Sequence, residues 1–204
     1  MPMNKMLVAA MLAAVPLSSM AASPVGNLDI YYTDSEAELN DGFTNAKVDG
    51  DGGFGIRGSG KIADQAFVFG EYQKTDYDTP TDLEIQQIRA GLGFLLVNTE
   101  QTEVYGKASF LNFKADSNVG EADDNGWGLH AGAKFKVAPA FSVFGEIGYL
   151  DVGDTDGPEY NIGAAFDFSQ QFGVVANYRY SDFDVDGGGS LELKDLQLGV
   201  RFNF

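Results

Sequence analysis

The sequence has no cysteine and one histidine, His130. Without a thiol there is no disulfide framework, thiolate zinc site, cysteine nucleophile or lipid-bearing N-terminal cysteine. A lone histidine excludes multi-histidine metal centres. Basic residues are also scarce, with 13 Lys and Arg against 30 Asp and Glu for a formal charge of −17. That balance excludes a backbone-neutralising nucleic-acid binder, which needs Lys and Arg to displace condensed counterions. No apolar run approaches the ~20 residues a helix needs to cross a ~30 Å hydrocarbon core. What is present is 44% hydrophobic and 13% aromatic residues, too much buriable surface for a disordered chain. The 204 residues suit one folded domain.

Lys5 precedes an apolar stretch from Met6 to Leu17, and Ser18-Ser19-Met20-Ala21-Ala22 follows. A charged start, a short apolar run and small residues after it read as a secretory signal peptide over 1–21, cleaved after Ala21 or alternatively Ala22. The mature domain, 22–204, is then exported and carries a charge of −18, because the leader holds one lysine and no acid.

Beyond Val25, apolar residues recur every second position rather than at helical spacing. Ten such segments follow one another, from Leu28-Ile30-Tyr32 and Phe54-Ile56 through Val68-Tyr72, Ile88-Leu96, Val104-Phe110 and Trp127-Val137. The last four are Phe141-Tyr149, Tyr160-Phe168, Phe172-Tyr180 and Leu196-Phe204. Short linkers near Asp64, Asn98–Thr102, Pro139 and Ser169 alternate with longer ones over 34–53, 74–82, 114–125, 151–159 and 182–195. This pattern predicts an all-β, closed, antiparallel, up-and-down transmembrane barrel of about ten strands, with short periplasmic turns and longer extracellular loops. Eight strands is the alternative count, and a soluble sandwich the alternative fold.

Aromatic sorting supports the barrel. Tyrosines 32, 72, 149, 160, 178 and 180 fall toward the long linkers, and phenylalanines 94, 135, 141, 168, 172, 202 and 204 toward the short ones. Two interfacial girdles account for this, whereas a sandwich has no reason to sort rings by height. Glycines 91, 93, 128, 132 and 148 are expected to make room inside for long side chains of neighbouring strands.

The final strand, Leu196-Gln-Leu-Gly-Val-Arg-Phe-Asn-Phe204, resembles those of small outer-membrane barrels of the OmpX/OmpA-like superfamily. The resemblance implies a Gram-negative outer membrane with its lipid and lipopolysaccharide as surroundings. It also implies that Phe202 and Phe204 belong to the signal read by the barrel-assembly machinery. The strand count departs from OmpX and lies closer to the omptin proteases.

Inward positions carry Arg57, Lys61, Glu71, Arg89, Lys107, His130, Lys134, Glu146, Asp167, Arg179 and Arg201. In a narrow barrel these read as a lattice of paired charges replacing an apolar core. The alternative is a narrow passive, porin-like channel with a partly basic lumen. His130, mid-strand and remote from the outer rim, reads as part of the lattice rather than as a base. No catalytic set is visible, so no enzyme is expected.

The five longer linkers hold 22 acids and four lysines. Two stretches look like calcium loops: Asp182, Asp184 and Asp186 before Gly187, and Asp154, Asp156 and Glu159. The first opens like an EF-hand loop but has Leu193 at its twelfth position. No resident cofactor is expected beyond loop-bound Ca or Mg. The expected role is structural, or surface interaction with an extracellular ligand through acidic loops.

Overall fold

The computed structural model describes residues 26–40, 45–80 and 82–204, so the leader expected over 1–21 lies outside the described residues. The strands are β1 (Gly26–Asn40), β2 (Asn45–Ala63), β3 (Ala66–Tyr77), β4 (Leu83–Asn98) and β5 (Thr102–Ser117). They continue as β6 (Gly120–Ala138), β7 (Phe141–Val152), β8 (Thr155–Asp167), β9 (Phe172–Val185) and β10 (Ser190–Asn203). Each pairs antiparallel with its sequence neighbours, and β1 pairs with β10 to close the barrel. Closure leaves no edge strand, so backbone groups are satisfied without water, as a lipid-embedded sheet requires. At the seam the Gly26 N–H donates to the Phe204 carbonyl at 3.0 Å, and the Phe204 N–H donates back at 3.1 Å.

The strands run from 12 to 19 residues, longer than the ~10 needed to cross a bilayer. The excess lies at one end. The segments read as long loops are mostly extended strand, and the β7–β8 turn is only Gly153 and Asp154. Gly153 takes φ +60°, where a side chain would be strained. The reason is pairing: β1 and β2 stay paired beyond Thr33, with Glu36 opposite Asp49 and Ala37 opposite Val48 after a bulge that shifts the register.

Outward positions change character abruptly at one height. Ile30, Tyr32, Phe54, Leu92, Phe110, Trp127, Leu129, Tyr149, Ile162 and Leu198 are exposed apolar side chains forming a belt. Directly above Tyr32, Trp127, Tyr149, Tyr180 and Leu196 come Asp34, Asn125, Asp151, Asp182 and Lys194. The apolar belt is the membrane-facing surface, and the polar strand extensions form a collar beyond it. Girdle rings pair within the belt edges: Tyr160 stacks on Tyr180 at 6.3 Å, and Phe172 meets Phe202 at 5.4 Å.

Candidate functional site

The interior is built by the other half of each alternation. Strands across the lumen are joined by two staples. Arg89 of β4 donates Nη1 and Nη2 to both oxygens of Glu159 on β8, at 2.6 and 2.8 Å. Arg179 of β9 donates Nη2 to Glu71 on β3 at 2.6 and 2.8 Å. Tyr31 adds an O–H bond to Glu71 at 2.5 Å, while His130 Nε2–H and the Ser181 hydroxyl each donate to Glu159 at 3.0 Å. All these groups are buried, where charge-assisted bonds are strong and unmade ones costly.

Nearer the short-turn end, Arg201 grips Asp29 through Nε and Nη2 at 2.7 and 2.8 Å, and Arg57 reaches the same carboxylate at 3.3 Å. Glu146 takes Lys107 at 2.5 Å and the Tyr105 hydroxyl at 2.6 Å. Lys61 and Lys134 share Glu103 at 3.8 and 3.9 Å. Asp167 stands at the rim and accepts from Asn203 Nδ2 at 2.9 Å.

An amide and hydroxyl layer extends the lattice through residues that charge-based reading passed over. Gln197 accepts from Asn177 at 2.9 Å and donates to Gln73 at 2.8 Å. Asp195 accepts from Ser35 at 2.6 Å and Gln73 at 3.0 Å. Strand parity extended past the belt would have found Asp195, because it keeps the inward phase of Gln197 and Arg201.

Large rings fit inside because glycines of the next strand seat them. A Cβ on Gly148 would lie 2.1 Å from the His130 ring, and one on Gly93 2.0 Å from the Phe67 ring. Gly132 lies under Tyr105 and Gly163 under Phe144 in the same manner.

Above the charged layers the lumen turns apolar. Leu111, Leu150, Val152, Phe183 and Leu193 are buried in one cluster, with Ala37, Phe113 and Leu191 packed on it. Phe113 of β5 meets Phe183 of β9 edge to face at 6.4 Å, so the cluster reaches across the collar end of the lumen as a cap. Below it a cavity of about 230 Å³ runs toward the short turns.

Glu159, expected beside Asp154 and Asp156 in a cation loop, is instead a lumen residue, because β8 is already paired strand there and its inward phase points Glu159 at Arg89. Asp195 likewise leaves the loop acids for the lumen. The remaining candidates do meet: Asp156 faces Asp184 across β8 and β9, and the Asp186 N–H donates to the Asp154 carbonyl at 2.9 Å. Tyr149 gives its hydroxyl to Asp156. Among the described residues, no group of three or more acids or histidine is placed to hold a metal ion.

The sequence profile of the outer membrane protein beta-barrel domain matches residues 7–159. No curated protein matches the sequence significantly. Among solved structures, the outer membrane protease OmpT of Escherichia coli aligns over 92% of this chain and 99% of its own, at 9% identity and a TM-score of 0.58. An outer-membrane channel of Pseudomonas putida F1 aligns over 93% and 99%, at 10% identity and 0.57. The translocator domain of the autotransporter NalP of Neisseria meningitidis aligns over 97% and 93%, at 11% identity and 0.51. A protease, a channel and a translocator sharing one shape show the fold alone.

Proposed function

Since the chain belongs to the outer membrane protein beta-barrel family, and is an outer-membrane barrel protein of Gram-negative type, we propose that it is a closed, non-enzymatic barrel acting through the acidic collar it raises above the membrane. The observation that carries this reading is the change from apolar belt to carboxylates at one height around the wall. The collar lysines are already engaged: Lys47 and Lys194 with Glu36, Lys74 with Glu84, Lys114 with Glu121. Asp182 is held above the usual aspartate range by burial and by the nearby Glu192 and Asp184 charges. Crowded carboxylates beside an anionic lipopolysaccharide leaflet favour divalent cations bridging protein to lipid. The lumen groups support a structural role, since Glu159 is already engaged by Arg89, Ser181 and His130.

Export by the leader over 1–21, and recognition of Phe202 and Phe204 by the assembly machinery, complete the reading. Its test is the thermal midpoint in lipopolysaccharide-containing bilayers with and without millimolar magnesium. A rise that Asp156→Asn/Asp182→Asn/Asp184→Asn abolishes is expected, and an unchanged midpoint removes the idea. A second reading, a narrow channel, draws on the basic lower lumen.

A further inference from the structure

The cavity beneath the apolar cap, about 230 Å³ in volume, is lined unevenly. Its deep end is electrically closed, with Arg89 and Arg179 set against Glu159 and Glu71. Its mouth is not. There Asp29 serves both Arg57 and Arg201, Glu103 serves both Lys61 and Lys134, and Glu146 serves Lys107. Five cations meet three carboxylates, which leaves two positive charges uncompensated. Asp167 and Lys136 at the outermost rim, and Asp64 and Glu100 in the adjoining turns, all lie outside the lining. Lys61 and Lys134 hold their shared partner only at the limit of ion-pair distance and are each about a third or more exposed, at 34% and 40%.

The same cavity is lined by four rings: Phe67, Phe69, Tyr105 and Phe144. They are fixed in place. Phe67 meets Tyr105 edge to face at 5.7 Å, Phe67 and Phe144 sit on Gly93 and Gly163, and Phe69 carries the Lys107 ammonium 5.1 Å from its ring centre. Apolar walls with a few convergent polar groups are the usual make-up of a small-molecule site. The cap of Leu111, Leu150 and Phe183 bars entry from the collar end, so access is from the short-turn, periplasmic side.

We propose that this chamber is a periplasm-facing binding pocket for a small aromatic carboxylate. The carboxylate is taken by Lys61 and Lys134, and the ring displaces water from the aromatic lining. The surplus charge supplies attraction for the head group, and the seated rings supply a preformed apolar wall that costs little to order.

The test uses the full barrel in detergent micelles with 4-fluorobenzoate as probe, read as ¹⁹F line broadening. Broadening is expected, reversed by benzoate but by neither neutral benzamide nor inorganic phosphate, and weakened at least tenfold by Lys61→Gln/Lys134→Gln. The heat-modifiable gel mobility of that variant confirms that it is folded. Glu103→Gln, which releases both lysines, should tighten binding several-fold and provides a second measure should the double variant not fold. The proposal is overturned by an unbroadened line, by equal broadening in the lysine variant, or by Glu103→Gln binding no tighter. Reversal by benzamide would reveal simple apolar partition, and reversal by phosphate a bare anion site; either also overturns it.

Discussion

Arg89 and Glu159 face each other across the lumen in a two-pronged ion pair, joining strands that share no backbone hydrogen bond. The pair holds the barrel cross-section from inside, and its energetics follow from burial. Removing one partner leaves the other charge without compensation, which in a buried setting costs about 3 kcal/mol or more. Glu159→Gln is therefore expected to lower stability toward urea by about that much, since it also strands His130 and Ser181. Arg89→Met/Glu159→Met should recover the part of the loss owed to the orphaned Arg89 charge, because two apolar groups carry no charge-desolvation penalty, while His130 and Ser181 still lack their acceptor. Unfolding in lipid vesicles followed by the fluorescence of belt residue Trp127 measures both. A single variant within about 0.5 kcal/mol of the parent would show that lumen water screens the pair.

The apolar cap predicts electrical silence. Leu111 and Leu150 are fully buried at its centre, and an apolar constriction blocks ions by excluding water. In planar bilayers the parent barrel should give no conductance steps. Leu111→Ser/Leu150→Ser should give small steps with chloride favoured over potassium, because Arg57, Arg201, Lys61 and Lys134 dominate the lower lumen. Conductance by the parent would mean that the cap is not the seal.

The barrel, its ten strands and most inward charges were legible because period-two alternation is a direct record of which face each side chain takes. Glu159 and Asp195 were misplaced for a physical reason. Above the belt the outward face becomes polar too, the alternation loses contrast, and extended strand reads as loop. Pairing partners are longer range still. Nothing local in Ser35, Gln73 or Gln197 indicates that they complete a lattice from strands brought together only by closure. The apolar cap was hidden similarly, since Leu111 and Leu150 sit in the inward phase next to acids and asparagines that suggested solvent.

Two strand glycines, Gly91 and Gly70, predict opposite outcomes for one substitution. A Cβ on Gly91 would fall 2.0 Å from the Ala108 carbonyl oxygen, a backbone atom that cannot swing away. Gly91→Ala should cost about 1–3 kcal/mol as overpacking, or displace β4 from β5. At Gly70 the nearest atom to a new Cβ is 3.7 Å off, so Gly70→Ala should be neutral, or stabilising by about 0.4–1 kcal/mol through the unfolded chain. Urea midpoints of the two variants in the same vesicles decide the matter; equal midpoints would mean that the close approach of β5 does not exclude a side chain at Gly91.

In the collar, Glu36 accepts from Lys47 Nζ at 2.6 Å and Lys194 Nζ at 3.0 Å, and these hydrogen bonds hold its carboxyl below the usual range. A depressed carboxylate contributes stability that is present above its unfolded value, about 4.3, and is lost as pH falls through the lower folded value. The lysines are raised by the same contacts, so their share is present below about 10.4 and is lost only as pH rises through their raised values. The pairs are solvent-exposed and screened by salt, so the melting temperature is a poor readout and the site itself must be titrated. Following the Glu36 side-chain carboxyl by ¹³C NMR should give a midpoint below 4.3 in the parent. It should be higher in Lys47→Met, and at the ordinary value in Lys47→Met/Lys194→Met. A midpoint that ignores both substitutions would mean that the lysines do not hold Glu36 in solution, and the cross-strand ladder at the collar base would then contribute nothing to its order.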